Sequence, residues 1–118
     1  MENHTIGSLS LRCRTESDKV YISWTGKSED VDPASTLNPY LEGLIPQLTD
    51  CNVVIEFNEL EYLSPSTIPS IIKLIKMLNE KEIATLVTYN KAKNWQLSSF
   101  KTLETLSSVV DHLTVTGV

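Results

Sequence analysis

Between Val53 and Lys76 the chain reads VVIEFNELEYLSPSTIPSIIKLIK, and its hydrophobic period changes from that of a strand to that of a helix. Val53, Val54, Ile55 and Phe57 make a nearly continuous apolar run with β-branched members. Such a run suits a central strand covered on both faces. Further on, Ile68, Ile71, Ile72, Ile75 and Leu78 fall at i, i+3, i+4, i+7 and i+10, with Lys73, Lys76 and Asn79 between them. That spacing predicts an amphipathic helix burying one stripe. Pro69 fixes where the helix starts. Proline lacks an N–H and its ring clashes with the carbonyl four residues back, so it is tolerated only in the first turn. Ser64 is therefore too early to be the N-cap. Ser66 has a preferred capping side chain, with Thr67 as the fallback. A hydroxyl here meets free N–H groups and the positive end of the helix dipole, which favour added negative charge.

The rest of the chain reads as support for this corner. Residues 1–7 are polar and expected to be loose. Leu9, Leu11 and Cys13, then Val20, Ile22 and Trp24, alternate with polar residues around a turn at Glu16–Lys19, which predicts an opening hairpin. Leu37, Tyr40, Leu41, Leu44, Ile45 and Leu48 follow helical spacing. Pro39 places the N-cap of that helix at Thr36, and Pro46 kinks it or ends it early. A strand over Ala84–Tyr89, a helix over Lys91–Leu106 with Trp95 and Phe100 as packing residues, and a short strand around Leu113 and Val115 complete the order. Helical crossovers between strands imply a mainly parallel sheet with an antiparallel edge.

The residues of the corner resemble the core of STAS domains, the anti-sigma factor antagonist family. Its members have an apolar strand ending near an acid, a turn, and an aromatic-Ile-Asp-Ser-Ser-Gly-Leu segment opening a helix. Glu56 stands at the strand acid, Tyr62-Leu63 at the aromatic-aliphatic pair, Ile68 at the leucine, and Ser66 at the second serine. The family's Asp is Ser64 here, its first serine Pro65, its glycine Thr67 and the next small residue Pro69. The resemblance implies one STAS-like domain over residues 1–118, with a mixed, mainly parallel sheet of four to five strands and helices packed against it. It also implies phosphorylation at Ser66, with Ser64 and Thr67 as alternative acceptors, and a partner-binding surface at Ser64, Pro65, Ser66 and Thr67. Gly26 matches the start of a family loop near the phosphosite and joins that surface.

Other chemistry finds little support. The chain has 118 residues, a size suited to one domain, and a net charge of −5. No basic cluster exists to hold nucleic acid, and the acidic balance argues against anionic membrane surfaces. Glu29, Asp30 and Asp32 lack the ligand order of a calcium loop and read as a solvated loop. Cys13 and Cys51 have no metal spacing and read as reduced packing residues. The chain opens without a charged-then-apolar leader, and no apolar run reaches the ~18 residues of a membrane span, so a cytoplasmic protein is expected. A Ser66–His112–Asp111 triad fails because adjacent residues do not orient one another as acid and base.

The expectation is a non-enzymatic bacterial signalling adaptor without cofactor or metal. Its partner would be a protein such as an anti-sigma-type serine kinase, with a phosphatase resetting it. The alternative is a constitutive interaction subunit of the same fold.

Overall fold

The structure, a computed structural model, describes residues 2–118. Three antiparallel strands open the chain: β1 (His4–Ile6), β2 (Leu9–Glu16) and β3 (Lys19–Ser28). Helix α1 (Ala34–Leu44) leads to β4 (Asn52–Glu56) and β5 (Leu60–Leu63). Helix α2 (Ile68–Glu80), β6 (Thr85–Tyr89), α3 (Asn94–Leu106) and β7 (Leu113–Gly117) follow. The sheet runs β1-β2-β3-β4-β6-β7, with β5 also paired to β3. Pairings of β3 with β4 and β5, of β4 with β6 and of β6 with β7 are parallel. The Val53–Phe57 run thus supplies an interior strand, as its composition predicts.

The sheet has seven strands rather than four or five. The two additions are β1 and β5. The polar segment expected to be loose is held by side chains, apart from Met1, which lies outside the described residues. His4 stacks on Tyr40 with ring centroids 4.4 Å apart, the Tyr40 hydroxyl donates to the Glu2 carbonyl at 2.6 Å, and Asn3 Oδ1 accepts from the Cys13 N–H at 3.0 Å. Strand β5 forms because β3 outruns β4. Lys19–Ser23 pairs with β4, which leaves Gly26–Ser28 free to pair with Leu60–Leu63.

Alternate residues of each strand meet all three helices on one face. Leu37, Leu41 and Leu44 of α1, Ile71, Leu74, Ile75 and Leu78 of α2, and Phe100 and Leu103 of α3 share one core with Leu11, Ile22, Trp24, Ile55 and Val87. Burying each such side chain is worth roughly 1.5–3 kcal/mol. Trp24, Phe57, Phe100 and Tyr89 run through the core as a ring chain, with centroids 5.1, 4.6 and 5.7 Å apart.

Two expectations need correction here. The central strand is not sandwiched between helices. Val54 is buried but lies outside the core cluster, on the opposite face. Its register partners Tyr21 and Leu86 flank it there, so neighbouring side chains, not a second layer, shield it. Helix α1 starts before Thr36: its N-cap is Pro33, and Pro39 lies inside it. Packing outweighs the proline penalty, because Leu37, Leu41 and Leu44, on both sides of Pro39, are all buried in the core. The helix then stops at Leu44, and a 3-10 turn at Ile45–Gln47 carries Pro46.

Candidate functional site

The Ser66 corner sits where β3, β5 and the start of α2 meet. Its position depends on Gly26. This residue has φ +82°, and a Cβ there would lie 1.9 Å from the Ser8 carbonyl oxygen. Only glycine lets β3 approach β2 so closely in that backbone region. The register of β3 against β5 shifts directly after it. Gly26 thus works through its backbone, and it sets Ser28 opposite Leu63.

Ser64 is extended (φ −68°, ψ 146°) and begins a 3-10 turn at Pro65–Thr67. Helix α2 starts at Ile68 with Thr67 as N-cap and Pro69 in its first turn, which agrees with the boundary set by Pro69. The capping expectation is overturned: among the described residues neither Ser66 nor Thr67 makes a side-chain cap bond. An N-cap hydroxyl reaches the N–H of the second or third helical residue, and the second is Pro69, which has none. The hydroxyls turn elsewhere instead. Thr67 Oγ1 lies 2.7 Å from Ser28 Oγ and 2.9 Å from Ser64 Oγ, in a buried network. Ser66 Oγ donates to the Asp30 carbonyl at 3.2 Å and lies 3.1 Å from Ser64 Oγ.

Burial separates the three hydroxyl residues. Thr67 is 0% exposed and Ser64 8%, whereas Pro65 and Ser66 are exposed. A phosphorylating enzyme could reach the Ser66 hydroxyl without opening the fold. Thr67 and Ser64 would first have to leave a hydrogen-bonded pocket.

Around Ser66 lies an acidic rim. Glu29 and Glu61 line one hollow with Lys27 and Tyr62, and Asp30 Oδ1 accepts from the Asp32 N–H at 3.0 Å. Among the described residues none of these four carboxylates is ion-paired, and no group of three or more His, Cys, Asp or Glu is placed to hold a metal ion. Val31, between Asp30 and Asp32 in the chain, is 91% exposed, and Tyr62, in the hollow with Glu29 and Glu61, is 46% exposed. Neither stood out in the sequence as a surface anchor, although an apolar residue set alone among acids in SEDVDP was a usable signal. Glu56, at the family's acid position, faces the helix-free side of the sheet. It accepts from Ser23 Oγ at 2.7 Å and from Arg14 at 3.1 Å.

The structure keeps Ser66 away from the histidine of the notional triad. His112 precedes β7, and its carbonyl accepts from the N–H of Thr85, at the start of β6. Ser66 follows β5, which pairs with the end of β3. In this parallel arrangement they lie at opposite ends of the sheet. Cys13 and Cys51 are free and half-buried, with Cys13 Sγ 3.4 Å from the Tyr40 hydroxyl. Burial, followed by that contact, pushes the Tyr40 hydroxyl well above the usual tyrosine range.

One supporting residue escaped sequence reasoning. Gln96 is fully buried in α3. Its Nε2 donates to the Phe57 and Leu60 carbonyls at 2.8 and 2.9 Å, and its Oε1 accepts from the Asn90 N–H at 2.7 Å. It fastens the turn between β4 and β5, and so the approach to Ser66.

No family model matches the chain, and no curated protein does. Solved structures do resemble it. A chain in the crystal structure of diguanylate cyclase SiaD in complex with its activator SiaC, from Pseudomonas aeruginosa, superposes with a TM-score of 0.66 at 10% identity. The match covers 98% of this chain and 96% of that one. The Bacillus cell fate determinant SpoIIAA, solved in its phosphorylated form, gives a TM-score of 0.60 at 12% identity, over 90% of each chain. Likeness at this identity concerns architecture rather than activity: the chain has a STAS-like fold.

Proposed function

We propose that this protein is a non-enzymatic signalling adaptor of the anti-sigma factor antagonist type, which binds a protein partner through the surface around Ser66 and is switched by phosphorylation of that residue. The observation that carries the reading is the selective exposure of Ser66. Of the three hydroxyl residues at the α2 entrance, it alone is open to solvent, and its hydroxyl holds the Asp30 carbonyl of the acidic loop. Phosphorylation would replace a hydrogen-bond donor with a group carrying roughly −1.5 to −2 charges. The loop would lose its tie and face a new anion beside Glu29, Asp30 and Asp32. That is a local change large enough to redraw a binding surface. The comparisons support the reading at the level of fold, since one similar structure was solved in a phosphorylated form and the other is a protein–protein complex.

In this reading a serine kinase and a phosphatase set the state of Ser66. The protein works in the cytoplasm without cofactor, nucleic acid or membrane. The surface includes the exposed Pro65 and Ser66; Ser64 and Thr67, expected on it from the sequence, are buried and support it through their hydroxyl network instead, and Gly26 sets the strand register behind it. The buried Ser28–Thr67–Ser64 network favours the second reading, a constitutive interaction subunit, to the extent that these hydroxyls have structural work of their own. Intact-mass spectrometry of protein purified from its own host, with fragment localisation, separates the two. One added phosphate on Ser66 is expected. A protein that is never modified, or is modified only at Ser64 or Thr67, refutes the switch.

A further inference from the structure

We infer that the partner presents an apolar pocket rimmed by Lys and Arg, and that Val31 is the anchor that enters it. The inference rests on the adaptor reading and names the chemistry of the partner's side. Val31 is 91% exposed, the highest exposure of any large apolar side chain described. It follows Asp30, whose carbonyl is tied to the Ser66 hydroxyl. Tyr62 stands on β5 opposite Lys27, in the hollow it shares with Glu29 and Glu61. Glu29 and Asp30 also line a second hollow with Ile6, Gly7 and Ser8. Val31 thus stands between Asp30 and Asp32 in the chain, Tyr62 shares its hollow with Glu29 and Glu61, and Lys27 is the cation lining both hollows.

This arrangement matches the anatomy of protein interfaces, in which a few apolar or aromatic anchors are desolvated inside a polar rim. Charge complementarity selects the occupant. A second copy of this chain would set four unpaired carboxylates against four more, and an anionic membrane or a nucleic acid would be repelled. A basic protein surface neutralises the rim and gains association rate from it.

A photo-crosslinking aromatic residue placed at position 31, with position 109 as the control, tests this in the full-length protein in its own host. Val109 is also exposed, at 75%, but lies in the turn between α3 and β7. The expected result is a crosslink from position 31 and none from position 109, landing on an apolar residue flanked by Lys or Arg in the identified protein. With that protein purified, Val31→Asp and the double variant Glu29→Lys/Asp32→Lys should each weaken binding by about tenfold or more, and added salt should weaken it further. All three residues are exposed, so unchanged thermal midpoints keep folding out of the result. A crosslink onto an acidic surface, binding strengthened by the charge reversal, or equal crosslinking from position 109 overturns the inference. A partner found at position 31 whose affinity ignores Ser66 phosphorylation supports this surface and refutes the switch. A phosphorylation-sensitive partner that crosslinks away from position 31 does the reverse.

Discussion

Replacing Gln96 by leucine tests how the corner is held, because leucine has similar bulk and no polar atoms. The native amide satisfies two buried carbonyls, of Phe57 and Leu60, and the N–H of Asn90. Each buried polar group left without a partner costs about 1–3 kcal/mol. Three such groups give a loss of at least ~3 kcal/mol, a large share of a typical stability of about 5–15 kcal/mol. Urea unfolding followed by tryptophan fluorescence, from the buried Trp24 and the partly buried Trp95, measures it. With an m-value of about 1–3 kcal/mol per molar, the midpoint should fall by roughly 1–3 M. Gln96→Glu gives a second reading. An ionised carboxylate cannot donate to the two carbonyls, whereas the protonated acid can donate to one. Its folded pKa should therefore lie above the ordinary glutamate value of about 4.3, so the deficit against wild type should shrink as pH falls toward that value. A midpoint loss for Gln96→Leu worth under about 1 kcal/mol, with m unchanged, would show that the turn does not depend on this amide.

Further outcomes follow from the same geometry. Thr67→Val removes the hydroxyl shared by Ser28 and Ser64 and should cost about 1–2 kcal/mol in the same unfolding assay; no loss would mean that the network carries no stability. Gly26→Ala should destabilise by more than ~1 kcal/mol, because it combines positive φ with a backbone clash on Ser8, and a neutral result would refute the close approach. The Tyr89 hydroxyl donates to Glu104 at 2.7 Å, and that bond, then burial, raises its pKa above 10.0. A folded value above the unfolded one gives stability that is complete below about pH 10 and lost as pH rises through the folded value. Tyr89→Phe should flatten that alkaline fall in thermal midpoint, and an unchanged slope would remove Tyr89 from the account.

The order of elements was legible because the two hydrophobic periods differ so sharply. Val53–Phe57 and Ile68–Leu78 could each be read in one way, and Pro69 fixed the helix boundary by stereochemistry alone. What stayed hidden depended on contacts distant in sequence. β1 is only three residues long and is held by pairing with β2 and by the stacking of His4 on Tyr40, 36 residues further along the chain. β5 exists because β3 outruns β4, and no local pattern records a length difference between strands. Gln96 looks like a surface residue on any hydrophobic scale, and its burial follows from two carbonyls about 39 and 36 residues away. The run through Val54 gave no sign that one face lacks helices, because Tyr21 and Leu86 shield it as a second layer would. At the site itself, Ser66 was found from a family pattern and a helix start, but its hydrogen bond goes to the Asp30 carbonyl rather than to the helix. Val31, 91% exposed and next to Asp30, belongs to no hydrophobic period, so its spacing carries no sign of its exposure.

The most direct test compares a partner's affinity for the unmodified protein with its affinity for protein enzymatically phosphorylated at Ser66, with Ser66→Ala treated by the same kinase as control. Titration calorimetry at fixed salt reads all three. The account predicts a changed affinity for the phosphorylated protein and an unresponsive Ser66→Ala variant that still binds. The difference should be about tenfold or more, since a dianion placed in an interface shifts binding by more than ~1.4 kcal/mol. Equal affinities for the two forms, or a response that persists in Ser66→Ala, would contradict the switch and leave a constitutive interaction subunit in its place.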